Sequence, residues 1–277
     1  MKDIFHENYQ KIREQYGRII HSLQIVSREL NVKFFLIGAQ SRNVWSSHLK
    51  LNKRETRDID YSVQLSDFSQ WHKIVHELTT KFGVIPDKDK PYRFKLDDQE
   101  FDLLPFGNFA ENDEVILGDN SIVFSVLGFQ DIANNGAVEF GNEWIVSLPG
   151  LCVLKLISYS EKSYQRIRDF EDFLFLLFNL TDIYGDSIYD DENFLNQLGN
   201  NIDIEIIAAN KLGCEMNSVI VENDIIRNTI LRTLNKELCG LTMEEIIEEY
   251  KNGKHNSPEI TKFRLIAELI RTIDISA

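Results

Sequence analysis

The chain has no apolar run long enough to span a membrane, only three cysteines in 277 residues, and fewer basic than acidic residues. A spanning helix needs about 20 consecutive apolar residues, so no membrane association is expected. Cys152, Cys214 and Cys239 are widely spaced and form no CxxC pair, which argues against a disulfide framework and against a cysteine zinc site. A reducing cytoplasm fits that usage. Residues Met1 to Asn31 mix charged and apolar side chains without a continuous apolar core and cleavage site, so they do not read as a secretory leader. Thirty Lys plus Arg stand against 44 Asp plus Glu, a formal charge of -14. That balance counts against extensive nucleic-acid binding, which depends on neutralising phosphates. The deficit is uneven, however: residues 1–60 carry eleven basic and seven acidic side chains, a local +4, and the remainder carries -18. Lys50, Lys53, Arg54 and Arg57 fall in the eight positions before Asp58. Such a cluster is either a solvated loop or a phosphate contact, and its place beside the acids described below favours the second.

What is present is an ordinary globular mixture, 43% hydrophobic and 27% charged, so a sizeable core and one or two domains are expected. Ile12, Tyr16, Ile19, Ile20, Leu23, Val26 and Leu30 recur at helical spacing up to Asn31. Lys33 to Ile37 reads as a strand, Gly38 as a turn, and Gln40 to Leu49 as a helix. Asp58 to Leu65 alternates strictly, with Ile59, Tyr61, Val63 and Leu65 on one face and Asp58, Asp60, Ser62 and Gln64 on the other. A helix should follow over Phe68 to Phe82, capped by Ser66 or Asp67. Strands at Tyr92 to Leu96 and Gln99 to Phe106 are joined by the turn Asp97-Asp98, and a last strand at Glu143 to Ser147 leads to Pro149, suited to a first helical turn. Gly107 to Asn142 is poorly patterned. Beyond it the apolar runs 151–157, 167–180, 202–220, 225–238, 243–250 and 260–273 are helical, while the acidic stretch 182–192 reads as a loop. The expected architecture is a mixed α/β sheet with flanking helices over residues 1–147, followed by a helical C-terminal region over 148–277.

Asp58 and Asp60, two apart on a strand, project to one side and repel each other unless a cation or a proton intervenes. Alternation on a surface strand also produces such a pair by chance. Asp102 weighs against chance, because Phe101, Leu103 and Pro105 set it among apolar neighbours where an ionised group needs a partner. Three carboxylates from neighbouring strands suit hard divalent ions, magnesium above all, with manganese as an alternative. Glu100 shares the face of Asp102 but lies nearer the turn and competes less well for the role. Lys155 lies on an apolar helix, where a lysine snorkels. Asp169 and Asp172 lie on one helical face, where Asp169 can pair with Arg166 or Arg168. On one straight helix Lys155 and Asp169 would stand about 21 Å apart, so a break near 158–163 is needed to bring them together. His72 and His76 share a helical face but lack a third ligand, and Trp45 and Trp71 fall at packing positions.

The runs Gly38-Ala39-Gln40-Ser41-Arg42, Arg54-Glu55-Thr56-Arg57-Asp58-Ile59-Asp60-Tyr61 and Phe101-Asp102-Leu103-Leu104-Pro105-Phe106-Gly107 resemble the AbiEii-type nucleotidyltransferases of the polymerase β superfamily. The likeness continues through Leu148 to Leu156 and Arg168 to Asp172, covering about residues 33–175. It implies a polymerase β-like fold in which Asp58, Asp60 and Asp102 bind metal in a two-ion site. It further implies that the Gly38 turn, with Ala39, Ser41, Arg42 and Arg57, contacts the nucleotide, that Lys155 steadies the triphosphate, and that Asp169 belongs to the active site. The reaction implied is transfer of a nucleoside monophosphate from an NTP to a hydroxyl, on an RNA end such as tRNA before a protein side chain. Members include toxins of toxin-antitoxin and phage-defence systems, so an antitoxin protein is an implied partner. Two departures stand out: Gly38-Ala39 replaces the usual Gly-Gly or Gly-Ser, leaving Ser41 to supply any hydroxyl, and Asn43 stands where an acid often follows the arginine. They give standing to an alternative, a non-catalytic nucleotide-binding regulatory module of the same fold.

Overall fold

In the computed structural model the described residues are 2–46, 49, 58–118, 122–140, 143–190, 203–221, 223–242, 245–246, 248 and 258–275. The chain divides into two compact units, Lys2–Leu151 and Cys152–Ala277. The first opens with α1 (Lys2–Leu30), whose buried face carries Ile12, Tyr16, Ile19, Ile20, Leu23 and Val26, the residues that set its periodicity. The helix is interrupted at Tyr16, which has non-helical torsions (φ -114°, ψ 22°).

The strands β1 (Lys33–Ile37), β2 (Asp58–Leu65), β3 (Ile85–Pro86), β4 (Arg93–Leu96), β5 (Gln99–Gly107), β8 (Ala137–Phe140) and β9 (Glu143–Val146) form one mixed sheet in the order β3-β4-β5-β2-β1-β9-β8. Between its strands lie α2 (Gly38–Ser46), α3 (Ser69–Phe82), the hairpin β6 (Glu114–Leu117) and β7 (Ile122–Ser125), and α4 (Phe129–Asn135). β2 runs parallel to β5 and antiparallel to β1, and β4 runs antiparallel to β5. Because opposite residues share a face, the register puts Ile59, Tyr61, Phe101, Leu103 and Phe94 on one side, where Trp71 of α3 meets Phe94 edge to face. The other side is polar at the end of β2 carrying Asp58 and Asp60, and aromatic further along, where Phe35 meets Phe106 and Trp144, and Phe106 meets Phe129 of α4.

The second unit is helical, as expected. α5 (Leu148–Glu161) leads into it, followed by α6 (Ile167–Phe178), α7 (Leu180–Tyr184), a 3-10 turn (Gly185–Tyr189), α8 (Ile204–Val219), α9 (Asp224–Glu237) and α10 (Pro258–Ile275). Asp203 caps α8 by accepting from the Glu205 amide at 3.1 Å, and Asn223 caps α9 through the Ile226 amide at 3.2 Å. α8 and α10 pack closely because Gly213 presents no side chain: a Cβ there would lie 2.7 Å from Thr272 Cβ. Among the described residues no helix is long and apolar enough to cross a membrane.

Some local expectations are corrected. The stretch 107–142 contains the β6–β7 hairpin, α4 and β8, elements of four to seven residues too short to show a period in sequence. The acidic stretch 182–192 is helical up to Tyr189; residues 191 and 192 lie outside the described residues. Most of 243–250 also lies outside them. Phe68 occupies the cap position of α3 without a side-chain bond; Asp67 Oδ1 instead accepts from the Ser69 amide at 2.8 Å, and the Ser66 amide donates to Gln70 Oε1 at 2.8 Å.

Glu143 begins β9 and is 8% exposed, and burial pushes its carboxyl up to about 8. The folded protein therefore holds a proton on Glu143 that the unfolded chain has released, so this residue subtracts stability as pH rises from the ordinary glutamate range through about 8. Glu143→Gln should remove that loss, raising stability at pH 9 by roughly a few kcal/mol and leaving it nearly unchanged at pH 5. Urea denaturation at both pH values measures the difference, and equal gains at pH 5 and pH 9 would contradict the ionisation account.

Candidate metal centre

The acid site is built by strand register. In the parallel β2–β5 pair Asp60 stands opposite Asp102 and Asp58 opposite Glu100, and a shift by one residue would send these side chains to the other face. Asp58, Asp60 and Asp102 can each present one carboxylate oxygen such that all three lie within 4.8 Å of one another. A divalent cation with oxygen ligands at roughly 2.0–2.6 Å bridges such a separation. The group is partly exposed, so an ion has access. Glu100, the competing acid, has 54% of its side chain exposed against 14% for Asp102.

Gly38 closes β1 at this end. Ile37 pairs with Asp60 across the antiparallel β1–β2 ladder, and Gly38 follows with φ +66°, the left-handed region. A Cβ at this position would come 2.2 Å from Asp60 Oδ2. Glycine is therefore required twice over, by the turn and by the carboxylate that fills the space a side chain would need. α2 starts at this glycine, so its first backbone N–H groups and positive dipole end lie at the turn.

The other residues expected at the turn have different surroundings. Ala39 is half-buried in the first turn of α2. Ser41 is fully buried and donates its hydroxyl to the Val146 carbonyl at 3.3 Å, so it does not offer that hydroxyl to a phosphate. Arg42 is 6% exposed and donates from Nη2 to Asn43 Oδ1 at 3.0 Å, a buried position unlike that of a surface phosphate ligand. Arg57, with the rest of the basic cluster 50–57, lies outside the described residues.

Two residues that sequence reasoning left out of the site belong to its surroundings. Arg93, opposite Asp102 on β4, donates from Nε to Asp102 Oδ1 at 2.7 Å and from Nη2 to Asp102 Oδ2 at 2.9 Å. The Asp102 hydrogen bonds raise the guanidinium pKa further above its ordinary value. Tyr16, at the break in α1, accepts a hydrogen bond from Gln40 Nε2 at 3.0 Å, and Gln40 Oε1 accepts from Asn43 Nδ2 at 3.3 Å. Burial raises the Tyr16 phenol pKa and the charges of Asp58 and Asp60 add to it, against the opposing Gln40 bond. Arg93 was discoverable by pairing strands around the Asp97-Asp98 turn; Tyr16 looked like one more core position.

In the second unit the expected break is present: α5 ends at Glu161 and α6 begins at Ile167. It folds Lys155 back onto α6, where Nζ meets Asp169 Oδ1 at 2.7 Å and Asp172 Oδ2 at 2.8 Å. Arg166 adds a longer contact of 3.7 Å to Asp169. Lys155 is thus neither snorkelling nor free of charge partners, and it neutralises one of two nearly buried carboxylates.

The sequence matches no family model and no curated protein. A structural likeness exists to the antibiotic-resistance factor ANT(2'')-Ia, whose solution structure is described as showing substrate-regulated conformation dynamics. It has 13% identity over 54% of this chain and 74% of that chain, with a TM-score of 0.33. At that level it adds no weight to the geometry of the site.

Gly38→Ala should cost more than about 1 kcal/mol, from the left-handed torsion together with the clash at Asp60; it should also weaken Mn2+ binding, since relief of the clash displaces Asp60. Calorimetric unfolding and Mn2+ titration of one preparation test both halves, and undiminished Mn2+ affinity would show that Asp60 is not needed. Lys155→Met should destabilise by about 3 kcal/mol, because the ammonium shared by Asp169 and the buried Asp172 is lost. Adding Asp172→Asn to that variant should recover part of the loss in chemical denaturation, and strict additivity of the two substitutions would contradict the pairing.

Proposed function

We propose that the protein is a metal-dependent nucleotidyltransferase of polymerase β-like fold, moving a nucleoside monophosphate from an NTP to a hydroxyl acceptor with release of pyrophosphate. The observation that carries this is the convergence of Asp58, Asp60 and Asp102, from two parallel strands, to within 4.8 Å beside a glycine turn that opens a helix. The donor set is all oxygen and fits magnesium or manganese. Bound there, such ions supply positive charge to the triphosphate and acidify the attacking hydroxyl.

The residues of the chain divide the remaining work. Asp58, Asp60 and Asp102 set where charge is held, and their strands keep that constellation rigid. The backbone N–H groups at the start of α2 receive phosphate oxygens at the Gly38 turn. The acceptor oxygen forms a bond to the α-phosphorus as the bond from that phosphorus to the bridging β-oxygen breaks; the hydroxyl proton leaves to a base and the electron pair leaves with pyrophosphate. Lys155 is held by Asp169 and Asp172 within the helical unit. Ser41 and Arg42 are left in supporting positions under the turn. An RNA end, tRNA among them, is the favoured acceptor, with a cytoplasmic growth-inhibiting toxin restrained by an antitoxin protein as the biological setting. The buried Ser41 hydroxyl and the engaged Asp102 are the observations that favour a second reading, a nucleotide-binding module without turnover.

Incubation with each α-labelled NTP and Mg2+, in the presence of total cellular RNA and protein, should label one acceptor class. Asp58→Ala/Asp60→Ala should lose that labelling by at least about a hundredfold. Binding of an NTP without labelling of any acceptor would favour the module.

A further inference from the structure

The β4–β5 hairpin brings one basic side chain directly against the acid site. Its turn, Asp97-Asp98, has Asp97 in the left-handed region and sets Arg93 opposite Asp102. The guanidinium fork takes both oxygens of Asp102, at 2.7 Å and 2.9 Å. Its Nη2 also lies 3.5 Å from Asp58 Oδ2, and its Nη1 lies 3.4 Å from Glu100 Oε2. One cation is thus spread over three carboxylates on two strands, and only 21% of its side chain is exposed.

This arrangement sets up a competition. A divalent cation in the triad would share Asp102 with a guanidinium whose fork already takes one lone pair of each oxygen, and two cations held side by side on one carboxylate repel each other. The second lone pair of each oxygen is open to the metal, but the guanidinium beside it, always charged, is then relieved by turning to another anion nearby. The anion that arrives with the metal in a nucleotidyl transfer is a triphosphate, and a planar fork released from a carboxylate is matched in shape to a phosphate.

We propose that Arg93 is an internal counter-cation of this site: it holds Asp102 and Asp58 together when no metal is bound, yields Asp102 to the metal, and turns its fork to the phosphates that accompany it. The proposal rests on the reading of Asp58, Asp60 and Asp102 as a metal site. Its consequence is ordered loading. Metal alone binds weakly because the adjacent arginine repels it, whereas metal with triphosphate binds well because the arginine turns to a new anionic partner. Arg93 is in this account a positioning residue in the empty site and a phosphate ligand in the filled one.

The test compares wild type, Arg93→Gln, Arg93→Lys and Asp102→Asn. Binding of Mn2+ alone is read from loss of the free-ion paramagnetic resonance signal, and binding of Mn2+ with inorganic triphosphate, which makes no demand on base identity, is read by calorimetry. Arg93→Gln should bind Mn2+ alone roughly tenfold more tightly than wild type and the Mn2+-triphosphate complex roughly tenfold more weakly, each a change of about 1.4 kcal/mol. Arg93→Lys, which keeps the charge and loses the fork, should fall between them, and it carries the comparison if Arg93→Gln does not fold. Mn2+ affinity that is unchanged or lower in the Arg93 variants, while still abolished by Asp102→Asn, would overturn the counter-cation and leave the metal site intact. A melting temperature lowered equally with and without Mn2+ would likewise reduce Arg93 to a structural ion pair. No Mn2+ binding by any form that Asp102→Asn alters would remove the metal reading and this proposal with it.

Discussion

Three carboxylates held within 4.8 Å on one face of a sheet repel one another, and much of the first unit is arranged around tolerating that repulsion. Neutral packing cannot offset it. Asp58 and Asp60 are separated by a single strand residue, so their proximity follows from backbone geometry. Asp102 is brought to them by the parallel register of β2 and β5, where Asp60 faces Asp102. The apolar residues between them, Ile59, Tyr61, Phe101 and Leu103, are all at most 2% exposed, and their burial fixes that register. The hydrophobic face therefore positions the charged one. Arg93 relieves part of the repulsion, and Gly38 makes room for Asp60 by having no side chain.

A similar electrostatic problem recurs in the helical unit with a different solution. Asp169 and Asp172 project together from α6, and the buried Lys155 of α5 is bonded to both. Lysine reaches both acids only because the chain breaks between Glu161 and Ile167. Once buried, such a triad is conditionally stable: each member is tolerable while the others are present, and removing one leaves an uncompensated charge. Its value to the fold lies in specifying how α5 meets α6 more than in net stabilisation, since burying three charges costs much of what their attraction returns.

The chemistry assigned to the acid site follows from what such a site attracts. A chain of formal charge -14 repels polyanions at long range, so the phosphate binding proposed above would have to be won locally, by cations, oriented N–H groups and basic side chains. In the proposed reading the start of α2, an ion held by the aspartate triad and Arg93 would be local devices of that kind. Under the proposed function, a nucleotide that brings its own divalent ion carries less negative charge than the free nucleotide, which lowers its repulsion from an acidic surface. Tyr16 and Gln40, linked by a hydrogen bond beneath the turn, give α1 and α2 a shared support close to the acids.

The sequence alone determined the elements with long or strict periods. The buried stripe of α1, the alternation of β2, the glycine turn after β1 and the longer helices α5, α6, α8, α9 and α10 were legible, because a burial period of 3.6 or 2 leaves its mark on neighbouring residues. Asp58 and Asp60 were legible together for the same reason, and Asp102 because a charge among apolar neighbours stands out. What sequence could not resolve were features that arise between segments. The hairpin β6–β7, α4 and β8 are too short to establish a period. The inward turn of Ser41, the engagement of Lys155 by two acids and the approach of Arg93 to Asp102 each depend on which residue of one element faces which residue of another. Local sequence specifies the direction in which a side chain leaves its own backbone; the partner it meets there is decided by register and packing, which only the tertiary structure supplies.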